Sequence, residues 1–318
     1  MALPTNQVQS LLPKQQQTLD KSAKPFVKWA GGKTQLLDKF CTLYPIELFK
    51  DEIDTYIEPF VGGGAVLFFV LQNYRVNQAV IIDENTELIN CYRCIRDNIS
   101  KLIQCLYSIE LAYKQLSMQQ KEQMFLQMRK DFNNNIHSYT SKLKFEQASR
   151  FIFLNKTSFN GLYRVNSQGL YNVPFGKHSN PTICDSDNLM IVNELLQKVE
   201  IVQGNYSQCV QYTKGRSFIY FDPPYRPLST TQNFTKYGKN GFDDEQQKAL
   251  AKLYKQLDSS HCKLMLSNSD PKNINPQDMF FDSLYSAFDI QRLDAKRMIN
   301  CKGDKRGNIS ELVIRNYS

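Results

Sequence analysis

Asp222-Pro223-Pro224-Tyr225 is the stretch of this 318-residue chain whose residue types could do chemistry together. It follows the apolar run Phe218-Ile-Tyr-Phe221, which puts a carboxylate at the end of a strand. Two prolines then fix a rigid turn with no amide donors of its own, so its carbonyl oxygens stay open to accept hydrogen bonds. The Asp222 carboxylate and the carbonyl after it can grip both hydrogens of a planar exocyclic amine, while Tyr225 offers a face for stacking its ring. Held in this way, the amine's lone pair is drawn out of conjugation and becomes nucleophilic. A sulfonium methyl held in line is then open to direct attack, with catalysis resting on positioning and electrostatics.

Two glycine turns lie upstream. Glu58-Pro-Phe60-Val-Gly62-Gly63-Gly64-Ala65 is a strand leading through glycines into a helix start, where backbone and ligand can approach closely. It is not the dinucleotide fingerprint, because Leu67 stands where the third glycine belongs. Asp83 ends the next run, 83 − 62 = 21 residues after Gly62, a spacing that suits a carboxylate on ribose hydroxyls and hence a nucleoside cofactor. A purely structural tight turn is the other reading. Trp29-Ala-Gly-Gly-Lys33-Thr34 fails as a phosphate loop, since Val27 occupies the place of its first glycine, yet Lys33 beside a helix start can hold a carboxylate. Trp29, the only tryptophan, suits either stacking on a ring or a core position.

The elements that must position these residues are short apolar runs. They are Thr55–Glu58, Ala79–Asp83, Val199–Val202, Phe218–Asp222, Lys263–Ser267 and Glu311–Arg315, with helical stretches at Thr34–Leu43, Ala65–Asn73 and Asp244–Leu257. Near-continuous apolar strands alternating with helices predict an α/β fold with a mostly parallel, Rossmann-like sheet. Ligands of such sheets bind beyond the carboxyl ends of the strands. Residues 87–132 read as helical and residues 159–182 as loop-rich, with Asn160-Gly161, Gly169 and Pro174. The expected organisation is a flexible tail over 1–24, a catalytic domain over 25–86 and 190–318, and an inserted, mainly helical recognition domain over 87–189.

Charge singles out the same insertion. Lys and Arg number 39 against 31 Asp and Glu, a balance of +8. Between Arg129 and His178 stand eight basic residues and two acids, so +6 of that excess falls within 50 residues. Such a segment attracts a polyanion by counterion release, or is simply a solvated basic face. A second cluster, Lys296, Arg297, Lys302, Lys305 and Arg306, suits either a clamp on a backbone or a solvated loop. With 42% hydrophobic and 22% charged residues the chain can bury a full core, which excludes whole-chain disorder, collagen and coiled coil. The Gln-rich start carries no apolar run long enough for a signal core or membrane span, and the eight cysteines sit mostly in apolar stretches, as in a reducing cytoplasm. Cys91-x-x-Cys94 has no second pair and reads as helix packing, so no metal is expected.

Five motifs in order resemble the N6-adenine DNA methyltransferases of the Dam/Dpn type (D12 class, alpha group), which modify GATC, over about residues 25–317. They are Pro25-Phe-Val-Lys-Trp-Ala-Gly-Gly-Lys33, Glu58-Pro-Phe-Val-Gly-Gly-Gly64, Asp83-Glu-Asn-Thr-Glu-Leu-Ile-Asn90, Asp222-Pro-Pro-Tyr225 and Leu266-Ser-Asn-Ser269. The resemblance implies a S-adenosylmethionine-dependent fold with a β-hairpin in the recognition domain. Trp29, Lys33, Asp83 and Asp222 match positions that bind S-adenosylmethionine, and with the glycine turn the cofactor set becomes Trp29, Lys33, Glu58, Phe60, Gly62, Gly64, Asp83, Asn205 and Asp222. Asp222 through Tyr225 would grip a flipped adenine. Phe159-Asn-Gly-Leu-Tyr-Arg-Val-Asn166 and Tyr171-Asn-Val-Pro-Phe-Gly176 look like the GATC-reading hairpin. The DNA-binding set that follows is Lys28, Phe159, Asn160, Leu162, Arg164, Pro174 and Lys177, with Phe159 as the wedge, Asn160 near the disrupted pair and Arg164 on guanine. An arginine fork fits guanine's paired acceptors independently of the resemblance.

Gly204-Asn205-Tyr206 departs from the Gly-Asp-Phe common in the family; Asn can still donate and accept at an adenine edge. The expected partner is duplex DNA containing GATC, with pairing to a restriction endonuclease without a stable complex, and no membrane. Rival readings are N4 of cytosine or a glutamine amide as target, a solitary regulatory methylase, and a DNA-binding regulator that has lost catalysis. Carbon-5 methylation is disfavoured, because none of the twelve prolines is followed by Cys.

Overall fold

The computed structural model describes residues 22–136, 140–226, 242–296 and 308–318. The expected tail therefore lies outside the described residues except for Ser22, Ala23 and Lys24, as does most of the second basic cluster. One sheet organises the molecule. Its strands are β1 (Thr55–Pro59), β2 (Gln78–Asp83), β3 (Val199–Gln203), β4 (Ser217–Phe221), β5 (Lys263–Ser269), β6 (Asp289–Lys296) and β7 (Asn308–Arg315), ordered β3-β2-β1-β4-β5-β7-β6. The first five are parallel, and β7 runs antiparallel between β5 and β6. The α/β architecture with a mostly parallel, Rossmann-like sheet, expected from the apolar runs, is present.

β1 and β4 are buried at every residue, which is why they read as continuous apolar runs rather than alternating ones. Tyr56, Ile81, Phe218 and Met265 face one core; Ile57, Val80, Ile219 and Leu264 face the other. The second core is closed by Leu250, Tyr254 and Leu257 of a helix at Asp244–Asp258. The first is closed by α1 (Ala65–Asn73) and continues without a break into the helices between β2 and β3. These are α2 (Thr86–Asp97), α3 (Ile99–Lys114), α4 (Met118–Asn135), α5 (Lys144–Thr157) and α6 (Ser186–Leu196); the Asp244–Asp258 helix is then α7. α5 packs on α2, α3 and α4. Asn85, Ser117 and Asp243 cap α2, α4 and α7, their side chains accepting from the first-turn amides.

The stretch Thr34–Leu43, expected as one helix, is a turn followed by one-turn helices at Leu37–Phe40 and Cys41–Leu43. Cys91 and Cys94 are buried in α2, with Cys91 Sγ 3.8 Å from the Ala148 carbonyl of α5. Among the described residues no helix is long and apolar enough to cross a membrane.

Candidate active site

Chain order reverses between β1 and β4: β2 and β3 extend the sheet on one side of β1, and the chain then returns to place β4 on the other. The crevice beyond the carboxyl ends of these two strands is where such sheets hold ligands. Glu58 lies within β1 near that end, and Asp222 directly follows β4. Lys33 joins them from the Gly31-Gly32 turn. Its ammonium is only 2% exposed and lies 2.5 Å from Asp222 Oδ1 and 3.3 Å from Glu311 Oε1. It also donates to the Gly31 carbonyl at 2.8 Å and to the Tyr225 hydroxyl at 3.1 Å. The Tyr225 hydroxyl in turn donates to Glu311 Oε1 at 2.7 Å.

Burial alone would strip the charge from Lys33, but Asp222 first, then Tyr225 and Glu311, hold its pKa well above the usual lysine range. Burial raises the Asp222 carboxyl, with Lys33 and the Ser267 hydroxyl pulling it back; Ser267 Oγ lies 3.3 Å from Asp222 Oδ1. Burial also raises Glu311, against Lys33. Glu58 is pushed up to about 8 by burial, although the Tyr56 hydroxyl donates to it at 2.7 Å. At neutral pH Glu58 is therefore mostly protonated, and Lys33 is shared between the carboxyl groups of Asp222 and Glu311.

The second glycine turn is clamped to β2. Asp83 accepts from the Asn85 amide at 2.8 Å and the Gly62 amide at 3.1 Å. Burial lifts its carboxyl to about 6 against those two amides, leaving it mainly ionised at pH 7. Gly62 and Gly64 sit at φ of 50° and 77°; a Cβ on Gly62 would come 2.6 Å from the Trp29 ring, and one on Gly64 2.6 Å from the Tyr92 hydroxyl. Only glycine fits both demands. Phe60 also has a positive φ, 74°, and stacks on Tyr206 with centroids 5.0 Å apart. Asn205 accepts from the Ser207 amide at 3.0 Å and donates to Glu84 at 2.6 Å, beside the end of β2. Trp29 stacks at 5.5 Å on Tyr163 and at 6.4 Å on Phe151, so one indole touches both the glycine turn and the block between β2 and β3.

Beyond Trp29, Asn155 of α5 ties two segments together. Its side chain accepts from the Lys28 amide at 2.8 Å and donates to the carbonyls of Lys28 and Gly161, each at 2.9 Å. The expected hairpin is an irregular loop rather than two strands, closed by the isolated antiparallel bridges Ser158–Phe175 and Val165–Tyr171. Phe159 is 53% exposed, and its amide donates to the Pro174 carbonyl at 2.9 Å. Asn160, with φ of 58°, and Lys177, with φ of 55°, are exposed, as are Lys28, Arg164 and Pro174. Arg164 donates to Asn172 through Nε at 2.8 Å and through Nη2, to the carbonyl, at 3.3 Å. Leu162 differs from this set: it is half-buried against the core.

The profile of the D12 class N6 adenine-specific DNA methyltransferases matches residues 29–299. The chain is 46% identical to the Type II methyltransferase M.MjaIII of Methanocaldococcus jannaschii, covering 92% of this chain and 99% of that protein. It is 37% identical to the Type II methyltransferase M1.LlaDCHI of Lactococcus lactis subsp. cremoris, covering 92% and 95%. Against the DNA adenine methylase of Escherichia coli K12 the identity is 30% over 92% and 95%. The chain belongs to the D12 class of N6 adenine-specific DNA methyltransferases.

A methyltransferase of this class uses an S-adenosylmethionine donor, and the crevice residues fit one. Asp83 is a carboxylate beside a turn where a side chain on Gly62 or Gly64 would clash, and the Lys33 ammonium is paired with both Asp222 and Glu311. Sequence reasoning about this D12 methyltransferase missed three members of the arrangement. Glu311 opens an apolar run and read only as the start of a strand. Asn155 lies in a helical stretch with no motif around it. Gln247, fully buried in α7, donates to the Pro224 carbonyl at 3.1 Å and carried no signal beyond helix-forming neighbours.

Proposed function

We propose that this methyltransferase methylates N6 of adenine within GATC in duplex DNA, on a nucleotide turned out of the helix. S-adenosylmethionine supplies an electrophilic methyl on sulfur. Asp222 and the Pro223 carbonyl hold the two hydrogens of the amine, Tyr225 stacks on the base, and Pro223 and Pro224 keep the turn rigid. Trp29, Lys33, Glu58, Phe60, Gly62, Gly64, Asp83 and Asn205 hold the donor, with Asp83 taking ribose hydroxyls. Extrusion of the base follows from the chemistry, because its amine is otherwise paired and shielded in the duplex.

The observation that carries the choice of target is Arg164. It is exposed yet steered through Nε and Nη2, which leaves an edge of the guanidinium fork for the O6 and N7 of guanine. Phe159 serves as the wedge, Asn160 stands near the disrupted pair, and Lys28, Leu162, Pro174 and Lys177 complete the reading surface in a recognition domain spanning residues 87–189. The two relatives at 46% and 37% identity are named Type II methyltransferases, whereas the E. coli adenine methylase stands at 30%, which favours work beside a cognate endonuclease; we place that work in the cytoplasm and without a stable complex. Incubation with labelled donor and duplexes differing only at GATC tests the proposal. Label is expected in N6-methyladenine of the GATC duplex alone. Label in cytosine, or equal label on the altered duplexes, overturns it.

A further inference from the structure

Proline fixes its own φ, and it restricts the ψ of the residue before it to the extended range. In Asp222-Pro223-Pro224-Tyr225 the ψ angles of Asp222 and Pro223 are therefore both limited by the proline that follows. Pro224 is the first residue of the turn whose ψ no proline restrains. Its carbonyl is the one that Gln247 binds, at 3.1 Å. Because that carbonyl can only accept, the Gln247 amide nitrogen must face it, which settles the orientation of the side chain. The amide oxygen takes the Asn268 side chain from β5 at 3.4 Å, and Gln247 itself is completely buried.

The far side of Tyr225 is gripped by the same helix. Arg226 donates to both oxygens of Asp244, at 2.6 and 2.9 Å, and to Asp278 at 2.9 Å, and its guanidinium lies 4.1 Å from the Phe280 ring centroid. Asp244 and Gln247 are three residues apart in the first turn of α7 and so share a face. One helix end thus holds the backbone before Tyr225 and the side chain after it.

We propose that Gln247 is a positioning residue for methyl transfer: by holding the Pro224 carbonyl it sets the Pro224 ψ, the one torsion between the Asp222 and Tyr225 Cα atoms that no proline limits, and with it the direction in which the chain enters Tyr225. This rests on the reading that Asp222 through Tyr225 hold the target base. Asn268, from the Leu266-Ser-Asn-Ser269 motif, supports the brace from below.

Three variants separate the two claims. Asp222→Ala measures the reading itself: if it still transfers methyl at the wild-type rate, that reading fails whatever Gln247 does. With Asp222→Ala inactive, Gln247→Leu, which keeps the volume and loses the donor, is expected to lower kcat about tenfold or more while the KM for S-adenosylmethionine stays within about threefold. Gln247→Glu gives the sharper signature. Its protonated carboxyl can donate to the Pro224 carbonyl and its carboxylate cannot, and burial holds its pKa above the ordinary glutamate value of about 4.3.

The charged groups on the segments that meet this turn are Asp222 with Lys33 and Glu311, which between them bond it and Tyr225, and the paired Arg226, Asp244 and Asp278. All are present in wild type and variant alike, so dividing one pH profile by the other isolates the new carboxyl. The ratio of Gln247→Glu to wild-type kcat is expected to fall about fivefold or more as pH rises from about 6 to 9, with circular dichroism unchanged across the range. A Gln247→Leu kcat within twofold of wild type, or a Gln247→Glu ratio flat with pH, overturns the proposal. Should Gln247→Leu fail to fold, the profile of the glutamate variant decides alone.

Discussion

Lys33 is buried and lies 2.5 Å from a half-buried Asp222 and 3.3 Å from a buried Glu311, whereas Phe159, Arg164 and Lys177 stand in solvent on a loop closed by isolated bridges. The first region has its charges satisfied before any ligand arrives. Positioning of that kind lowers a barrier because little remains to be reorganised at the moment of reaction. The second keeps its side chains in solvent, Arg164 held by Asn172. Between them lie Trp29, stacked on Tyr163, and Asn155, which bonds Lys28 to Gly161, so an indole and an amide tie the loop over residues 159–175 to the segment over residues 28–33. Under the proposed function, buried charge does the chemistry, and exposed, lightly tethered charge finds the target.

The largest expected effect breaks the buried side. Lys33→Met leaves the Asp222 and Glu311 carboxylates together without their cation, which should cost about 3 to 5 kcal/mol of stability at neutral pH in denaturant titrations. Without the lysine both carboxyls titrate higher than in wild type, so the loss should shrink as the pH falls and they take up protons; a loss independent of pH would mean they are not its cause. A smaller effect comes from Glu58. Its folded pKa of about 8 lies above its unfolded value, so its contribution to stability is present at low pH and is lost as the pH rises through 8. Glu58→Gln keeps an acceptor for the Tyr56 hydroxyl and removes the titration. Its melting temperature should track wild type near pH 4, below the unfolded value of about 4.3, and exceed it by a growing margin as the pH rises towards 8.

On the exposed side, Asn172→Ala releases Arg164 from its steering contacts. The change should cost about 1 kcal/mol in discrimination between GATC and singly altered duplexes, measured by competition binding, with stability unchanged. Lys177→Ala is the smallest: weaker binding to every duplex alike, with the slope of log affinity against log salt lowered by about one. A change in sequence preference instead would move Lys177 from the backbone to the bases.

The parts of the fold that sequence reasoning found were those whose chemistry is local. Ala65–Asn73 carries its own helix signals and was placed to the residue, and the buried parallel strands announce themselves by continuous apolar runs. β6 was missed because Asp289-Ile-Gln-Arg-Leu-Asp-Ala-Lys296 mixes charges throughout, as the last strand at one edge can. The basic segment needed the structure to be apportioned. Arg129 donates to the Val173 carbonyl at 3.3 Å, Lys144 lies 3.7 Å from Asp97, and burial lowers the pKa of Lys156, so part of that charge braces the loop and the helices. Glu311 was unreadable for another reason. It meets Lys33, 311 − 33 = 278 residues away, only because β7 pairs with β5 in the register Ser269–Glu311, which no local pattern encodes.

The division of labour between the two regions is tested most directly by measuring Asp222→Ala and Arg164→Ala side by side. Single-turnover methylation and binding would be followed on one GATC duplex and on duplexes altered at each base pair in turn. The expected result is a crossing of effects. Asp222→Ala loses transfer on every duplex while its binding preference for GATC is kept, and Arg164→Ala loses about 1 to 3 kcal/mol of discrimination at one base pair while still transferring methyl. If Arg164→Ala instead weakens all duplexes equally, or Asp222→Ala still transfers methyl, the account is contradicted.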